Sequence, residues 1–245
     1  MSLLGIKNAR GRGKRQMRDI RVRILGISGT PVKGGNCDRL VKESLKAAKQ
    51  IGNVETEFVT LADKKIAMCQ HCQHCIKKRS GCKIHDDAQA IYEKISKSDG
   101  VILGSPAWFR TVAPPIPILF SRSRNIVFFS HEFRNKICGT ISVSWFGRGM
   151  ENTMAQLKLM AERFMMIPVA EGSAISSTVA FGKRADFLEH GALDHMAGVK
   201  SVRKVGYRVA EIARMIKFAT EAGVTVSPEY QVTGTGATLR RQSEG

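Results

Sequence analysis

The chain of 245 residues contains 43% hydrophobic and 24% charged residues, proportions typical of a folded globular protein, which argues against wholesale disorder. This length fits one main α/β domain with tails. The longest apolar run, residues 116–129, is interrupted by Pro117 and two arginines and is shorter than the ~20 residues of a membrane-spanning helix, so we expect no membrane span.

A basic extension occupies residues 1–20. The net charge of the chain is +18, and residues 1–23 hold eight Lys or Arg residues with one acid, Asp19. Such an arm is more often solvated than bound to nucleic acid or to another subunit. The order of its apolar and basic residues is the reverse of a secretory signal. We therefore expect a cytoplasmic protein, in which disulfides are rare.

Along residues 21–220, apolar runs alternate with amphipathic segments. Strands are predicted at residues 21–28, 54–61, 99–106, 137–144 and 167–170. Helices are predicted at residues 36–50, 86–98, from 114 or 115 onwards, 149–166 and 199–219. This alternation predicts an α/β fold with a doubly wound parallel sheet, and residues 221–245 are predicted to form a polar C-terminal tail.

Three polar loops follow the first, third and fourth predicted strands. They are SGTPVKGGN at residues 28–36, SPAWFRT at 105–111 and SWFGRG at 144–149. In a doubly wound sheet, ligands bind outside the carboxyl ends of the strands. The three loops therefore predict one composite pocket.

The first loop lies between a strand and a helix N-terminus, where backbone N–H groups and the helix dipole favour an anion. Ser28 and Thr30 offer hydroxyl groups, Lys33 adds positive charge, and Asn36 is suited to cap the helix. The loop matches neither a Walker motif nor G-x-G-x-x-G. Phosphate binding and a plain turn with an asparagine cap remain equal alternatives for this loop alone.

Aromatic pairs stand in the other two loops, Trp108 with Phe109 and Trp145 with Phe146. Taken singly, each pair is more often packing than a cofactor site. Together with a phosphate loop, the pairs predict a flavin mononucleotide site, with an anion cradle at one end and a desolvated slot for the isoalloxazine ring at the other.

Four of the six cysteines share one short segment: Cys69, Cys72, Cys75 and Cys82. The close, equal spacing of the first three favours a single iron-sulfur cluster, whereas structural zinc sites usually use two separated pairs. A zinc site that includes His71 or His74 is the second alternative, and a disulfide is the weakest. Cys138 lies in an apolar strand and is predicted to belong to the core.

A positive collar surrounds these cysteines, because residues 64–85 contain no acid. The collar consists of Lys64, Lys65, Lys77, Lys78, Arg79 and Lys83. Its charge suits an acidic electron-transfer protein, since complementary charge speeds encounter and orients docking. Compensation of an anionic thiolate cluster is an equally good explanation.

In this order along the chain, the motifs resemble those of the iron-sulfur flavoproteins, relatives of the NADPH-dependent FMN reductases with a flavodoxin-like fold. The resemblance rests on GISGTPVKGGNC, the cysteine motif after the second strand, GSPAWFRTVAPPIPILFSRS and ISVSWFGRGMENT. It covers about residues 21–219. It implies a five-stranded sheet of order 2-1-3-4-5, a cluster loop at residues 66–85, one FMN and one 4Fe-4S cluster per chain, and homodimers paired into homotetramers.

The resemblance also implies which residues form the sites. The phosphate would be held by Ser28, Thr30, Lys33, Asn36 and Cys37. The ring and ribityl chain would be surrounded by Ser105, Pro106, Ala107, Trp108, Phe109, Ser144, Trp145, Phe146, Arg148 and Gly149. The cluster would be bound by Cys69, Cys72, Cys75 and Cys82. No separate catalytic residue is expected, because the cofactors carry the chemistry.

Three positions depart from the family pattern. Val32 stands where an arginine is common, Arg110 where a small residue is usual, and Ser121 where an aspartate is usual. These departures bear most on substrate specificity.

The resulting prediction is an FMN-dependent oxidoreductase that transfers electrons between a one-electron donor such as ferredoxin, a 4Fe-4S cluster and FMN, and then to an unidentified acceptor. The nearest alternative is an NAD(P)H-dependent FMN or quinone reductase with a structural or sensory cysteine loop. An alternative from another class is a basic, zinc-binding nucleic-acid-binding protein. The sequence disfavours it, because no recognition-helix or RNA-binding motif accompanies the charge.

Overall fold

The structure is a computed structural model that describes residues 19–176 and 191–224. Most of the predicted basic extension and most of the predicted C-terminal tail lie outside these residues. The described strands are β1 (Val22–Ser28), β2 (Val54–Thr60), β3 (Gly100–Trp108), β4 (Thr111–Val112), β5 (Ile137–Ser144) and β6 (Ile167–Ile175).

Five of these strands form a parallel sheet in the order β2-β1-β3-β5-β6. This confirms the predicted order 2-1-3-4-5. The short strand β4 was not predicted, and it pairs antiparallel with the end of β3. Strand order reverses between β1 and β3, so a crevice for a ligand is expected outside their carboxyl ends.

The described helices cover both faces of the sheet. They are α1 (Asn36–Lys49), α2 (His74–Lys77), α3 (Asp87–Lys97), α4 (Pro115–Ser121), α5 (Met150–Arg163) and α6 (Met196–Glu221), with a π-helical turn at Ile126–Ser130. One apolar core packs α1 and α6 against the sheet, and a second core packs α3, α4 and α5 against the opposite face. The doubly wound α/β architecture is therefore confirmed.

Alternate residues of the central strands enter different cores. Ile24 and Ile102 pack on the side of α1 and α6, whereas Leu25 and Leu103 pack on the side of α3 and α4. All four side chains are buried. Because successive strand residues point to opposite faces, a sheet covered on both faces needs continuous apolar runs. This explains why β1, β3 and β5 carry apolar residues on both faces, with Gly, Ser and Thr as the main interruptions.

Two boundaries matter at the functional edge, and the first agrees with the prediction whereas the second differs from it. Helix α4 begins at Pro115, a position that proline tolerates well, although Pro117 follows within the same turn. Strand β6 continues to Ile175 rather than ending at residue 170. Its extension brings Ser176 beside β5, where the Ser176 N–H donates to the Ser144 carbonyl at 2.8 Å.

Candidate functional site

Loops from the carboxyl ends of β1, β3 and β5 enclose a cavity of about 300 Å³. It lies at the expected switch in strand order. The lining residues are Thr30, Val32, Gly35, Asn36, Cys37, Pro106, Ala107, Trp108, Val143, Ser144, Trp145 and Ser176. The structure thus brings the three predicted loops together around one space.

The first loop is shaped by hydrogen bonds to its own side chains. The Thr30 hydroxyl accepts from the Val32 N–H at 3.1 Å, and the buried Asp38 carboxylate accepts from the Gly34 N–H at 2.7 Å. Gly35 occupies the N-cap position of α1, and no side chain caps the helix there. The uncapped helix N-terminus points its dipole toward the cavity end formed by this loop, which favours an anion.

Asn36 does not cap α1, which corrects that part of the sequence prediction. It is the first helical residue, and its Oδ1 accepts from the Ala192 N–H at 2.9 Å. The side chain therefore ties the phosphate loop to the segment before α6. Asn36 still lines the cavity.

The other residues that were predicted to bind the phosphate are buried to different extents. Cys37 lines the cavity, and burial raises the pKa of its thiol to about 12 even though the nearby Ser28 side chain lowers it, so the thiol is neutral near pH 7. Ser28 is fully buried beneath the loop. Lys33 is exposed, and its Nζ lies 3.0 Å from the Asp63 carboxylate rather than in the cavity lining.

The second loop is a hairpin whose two turn residues are Phe109 and Arg110, between the paired residues Trp108 and Thr111. Both turn residues have positive φ, 45° and 63°. Hairpin turns of this type strongly prefer Asn-Gly, because most side chains are strained at positive φ, whereas Asn and Gly tolerate it. Trp108 lines the cavity, whereas Phe109 is fully exposed at the tip.

The third loop supports the second. Gly149 has a φ of +79°, and a Cβ at this position would lie 2.5 Å from the Cα of Arg110. The Asn152 Nδ2 donates to the Arg110 carbonyl at 2.7 Å, and the Gln156 Oε1 accepts from the Val112 N–H at 3.0 Å. Helix α5 therefore holds the strained hairpin in place.

Aromatic and polar groups share the ring end of the cavity. Trp145 lies against Phe146 with ring centroids 4.3 Å apart. The Ser144 hydroxyl is buried and has no hydrogen-bond partner among the described residues. A buried hydroxyl usually has a partner, so a ligand in the cavity would supply one. An end that favours an anion, an aromatic wall and this hydroxyl fit FMN.

Two predicted residues lie outside the cavity lining. Arg148 is exposed, and Ser105 is buried behind the lining, where its hydroxyl accepts from the Ala113 N–H at 2.9 Å.

The cysteine loop follows β2 and contains α2. None of its four cysteines forms a disulfide, and Cys72 is exposed while Cys69, Cys75 and Cys82 are half-buried. Burial raises the pKa of the Cys75 thiol, nearby Arg124 lowers it, and the Cys82 and Cys69 sulfurs raise it further. At least three of the four thiols are therefore electrostatic neighbours.

Within the two described ranges, no group of three or more His, Cys, Asp or Glu side chains is close enough to hold one metal ion. A tetrahedral zinc site would need such a group. The ligands of a cubane cluster bind different iron atoms and so stand farther apart than ligands of one ion. Four free thiols on one loop are a donor set that a cluster or a zinc ion can use, and the observation that favours a cluster is their spacing in the sequence.

A buried arginine supports the loop from behind. Arg122, directly after α4, has a fully buried side chain that contacts Asp86, and its Nη2 donates to the Ile84 carbonyl at 2.7 Å. Burial opposes the charged form, but the hydrogen bond to Asp86 and the nearby Cys82 side chain raise the pKa of Arg122 above its ordinary value. Sequence analysis did not identify this role for Arg122. Ser121, one of the three departures, accepts from the Cys69 N–H at 3.3 Å.

The collar residues are all exposed around the cysteine loop. Lys64 pairs with Asp63, and the Arg79 guanidinium lies 5.5 Å from the centroid of the Phe129 ring. Among the described residues, none of the helices combines the length and apolar character that crossing a bilayer requires.

Comparison with known proteins agrees with this geometry. Residues 22–180 match the family described as NADPH-dependent FMN reductase. An iron-sulfur flavoprotein of Methanocaldococcus jannaschii is 34% identical over 199 residues, which is 80% of this chain and 100% of that protein.

Two solved structures show similarity of fold alone. RosB with the bound intermediate 8-demethyl-8-formylriboflavin-5'-phosphate has a TM-score of 0.66 at 14% identity and covers 91% of this chain and 88% of its own. The flavodoxin, WrbA-like protein from Agrobacterium tumefaciens has a TM-score of 0.51 at 15% identity, with coverage of 79% and 98%. The fold is thus flavodoxin-like, and the chain belongs to the NADPH-dependent FMN reductase family, among its iron-sulfur flavoproteins.

Proposed function

We propose that this protein is an FMN-dependent oxidoreductase and electron-transfer flavoprotein, with FMN in the cavity and a 4Fe-4S cluster on the cysteine loop. The observation that carries the proposal is the convergence of three loops on one cavity with an uncapped helix N-terminus and an unpartnered Ser144 hydroxyl. FMN supplies one- and two-electron chemistry, and the cluster supplies one-electron transfer to or from a donor such as ferredoxin.

The residues of the cavity bind and orient the flavin. Thr30, Asn36 and the backbone at Cys37 hold the phosphate, with Ser28 supporting them from below. Lys33 contacts the phosphate only if its ion pair with Asp63, in which Nζ lies 3.0 Å from the carboxylate, is broken. We place the ring and ribityl chain against the lining residues Pro106, Ala107, Trp108, Ser144 and Trp145. The other predicted residues of these loops lie outside the lining: Ser105, Phe109, Phe146, Arg148 and Gly149.

The four loop cysteines are assigned to the cluster: Cys69, Cys72, Cys75 and Cys82. The other two cysteines are not ligands, because both are buried and burial raises the pKa of each thiol to about 12. Replacing Cys69 or Cys82 by Ser is expected to abolish stoichiometric iron and sulfide while FMN is retained. Cys138→Ser, in the apolar strand β5, is the matched control and should retain both cofactors.

The test is anaerobic purification followed by an absorption spectrum and assays of iron, sulfide and flavin. Both chromophores in wild-type protein, with iron lost only in the loop variants, would support the proposal. Flavin without iron or sulfide in anaerobically assembled protein would contradict the cluster assignment. A colourless protein that contains zinc would contradict both assignments.

The collar is proposed to bind an acidic electron donor. Lys77 and Lys78 are exposed beside the cysteines, and no acid lies within residues 64–85. Lys77→Glu with Lys78→Glu should lower kcat/KM for reduced ferredoxin and weaken its salt dependence. Lys200→Glu, an exposed change on α6, should not. Equal effects of the two charge reversals would exclude a specific docking surface.

We also propose a homodimer or homotetramer, because the fully exposed Phe109 at a rigid, strained turn is a surface suited to burial against another subunit. Light scattering of wild type and Phe109→Ser tests this. A wild-type monomer would contradict it.

A second candidate function is NAD(P)H-dependent reduction of FMN or a quinone, favoured by the family match over residues 22–180. Anaerobic mixing with NAD(P)H or with reduced ferredoxin separates the two functions. Rapid flavin bleaching by the nicotinamide alone would favour this candidate. Rapid bleaching only by reduced ferredoxin would favour the electron-transfer flavoprotein.

A further inference from the structure

The cysteine loop is closed at a neck formed by residues 65–67 on the entering side and residues 82–84 on the leaving side. Arg122 reaches both sides of this neck. Its Nη1 donates to the Ala67 carbonyl at 3.2 Å, and its Nη2 donates to the Ile84 carbonyl at 2.7 Å. One guanidinium therefore joins the two ends of a segment that holds all four proposed cluster ligands.

The start of α3 joins the same neck. Asp86 accepts from the Ala67 N–H at 2.9 Å and from Arg122, and it caps α3 by accepting from the Ala88 N–H at 3.0 Å. Gln89 completes the capping box and donates to the carbonyls of Cys82 and Ile84. The neck is thus fixed by side chains that are themselves fixed to a helix of the core.

The three hydrogen bonds of Arg122 at the neck use its Nη1 and Nη2 groups and leave its Nε unused. Its Nε is buried and finds no hydrogen-bond acceptor among the described residues. Cys82 is nevertheless among the groups that raise the pKa of Arg122, so its side chain is an electrostatic neighbour of the guanidinium. A buried guanidinium N–H without an acceptor is unfavourable, and a thiolate sulfur beside it would remove that penalty.

The geometry requires arginine rather than any cation. A guanidinium presents five N–H donors in a planar fork, so it can bond to two chain segments and still direct a third N–H elsewhere. A lysine ammonium is a point charge on a flexible stem, and it cannot span the two carbonyls of the neck in the same fixed way.

We propose that Arg122 is the positioning residue of the cysteine loop: its Nη1 and Nη2 groups hold the neck closed, and its Nε donates to the Cys82 sulfur when the cluster is bound. The first part concerns the chain alone, whereas the second part rests on the proposed function. Hydrogen bonds to cluster sulfurs favour the more negative, reduced state, so this contact raises the reduction potential.

The experiment compares wild type with Arg122→Lys, Arg122→Gln and Asp86→Asn. Arg122→Lys keeps the charge and loses the fork. Asp86→Asn keeps Arg122 and retains an amide that can cap α3, so it serves as the milder variant if Arg122→Gln does not fold. Arg79→Gln is the matched control, because it removes a positive charge from the same loop without touching the neck.

Three readouts are measured. Trypsin cleavage at Lys77 and Lys78 in the metal-free protein reports neck closure without any cluster. Iron release to a chelator should become ~10–100-fold faster in Arg122→Lys and Arg122→Gln, and less so in Asp86→Asn. The reduction potential should become more negative in Arg122→Lys although the charge is unchanged, and Arg79→Gln should shift it less.

The outcomes separate this inference from the function on which it partly rests. Wild-type protein that never carries iron and sulfide would contradict the proposed function. The cleavage assay would still test whether Arg122 holds the neck closed. Cleavage of Arg122→Lys at the wild-type rate would overturn the proposal that Arg122 holds the neck closed. Potentials that follow charge alone, with Arg122→Lys equal to wild type and Arg79→Gln equal to Arg122→Gln, would overturn the Nε contact.

Discussion

The proposed FMN cavity and the cysteine loop both follow carboxyl ends of strands, but they are attached to the rest of the molecule by different interactions. Main-chain hydrogen bonds connect the cavity loops to the sheet: the Gly29 N–H donates to the Gly104 carbonyl at 2.7 Å, and the Ser176 N–H donates to the Ser144 carbonyl at 2.8 Å. The neck of the cysteine loop depends on the side chains of Arg122, Asp86 and Gln89.

This difference separates the two sites in their tolerance to mutation. Main-chain bonds survive most side-chain changes, so the attachment of the cavity loops to the sheet should tolerate most substitutions, although Asp38, Asn152 and Gln156 still shape these loops locally. Closure of the cysteine loop depends on a few side chains at its neck. Substitutions elsewhere along the loop should have little effect on it. Flavin binding and cluster retention should therefore respond to different sets of substitutions.

The largest effect is expected where α6 crosses α1. A Cβ on Gly206 would lie 1.9 Å from the Ser44 carbonyl oxygen, so Gly206→Ala must push the two helices apart. We expect it to lower the free energy of unfolding by about 3 kcal/mol, measured by urea unfolding. Gly81→Ala in the cysteine loop is the control, because nothing lies within 4 Å of a Cβ there. Equal destabilisation by the two changes would mean that the loop is packed as tightly as the core.

A smaller effect with a defined pH dependence is expected at the neck. Burial raises the pKa of Asp86, but hydrogen bonds from the Ala67 N–H, from Arg122 and from the Ala88 N–H bring it below its ordinary value. A carboxyl whose pKa is lower in the folded state stabilises that state above its unfolded pKa of ~4, and this stabilisation is lost as the pH falls below ~4 toward the folded pKa.

Asp86→Asn should therefore lower the free energy of unfolding by about 2 kcal/mol near neutral pH. The difference from wild type should shrink when urea unfolding of the metal-free protein is repeated below about pH 4. Glu93→Gln, an exposed change farther along α3, tests whether the effect is specific to Asp86. A difference that stays constant across this pH range would exclude a role for the Asp86 charge.

The strained hairpin at the cavity should respond in the opposite direction. Replacing Phe109 and Arg110 by Asn and Gly supplies residues suited to positive φ, and we expect it to raise the free energy of unfolding by about 1 to 2 kcal/mol. If the strained pair is retained for function, the variant should keep FMN and reduce acceptors more slowly. Unchanged stability would mean that the contacts with α5 already remove the strain.

Most of the fold could be predicted from the sequence, because apolar runs identified the five parallel strands and helical periodicity identified α1, α3, α5 and α6. The short strand β4 and helix α2 carried too few residues to produce a periodic pattern. The tertiary roles of Asn36 and Lys33 were also beyond sequence reasoning, since their partners Ala192 and Asp63 are remote in the chain.

The neck illustrates both the reach and the limit of sequence reasoning. Asp86 and Gln89 have the spacing of a capping box, so their hydrogen bonds at the start of α3 could be predicted from the local sequence. The contact between Arg122 and Asp86, which are 36 residues apart, could not be predicted in this way, because it depends on how α4 packs behind the cysteine loop. Local chemistry was predictable, and the long-range contact that connects the loop to the core was not.

The smallest effect is expected inside the cavity and tests whether the flavin uses the unpartnered hydroxyl. Ser144 and Ser142 are neighbours on the same face of β5, both with buried hydroxyls that lack partners among the described residues, but only Ser144 lines the cavity. Ser144→Ala should weaken FMN binding by about 1 kcal/mol, which is roughly fivefold in Kd by fluorescence titration of the apoprotein. Ser142→Ala should leave Kd unchanged. Because each change removes an unpartnered buried hydroxyl, neither should destabilise the apoprotein, so a fall in affinity restricted to Ser144→Ala would report a contact with the flavin rather than a disturbed sheet.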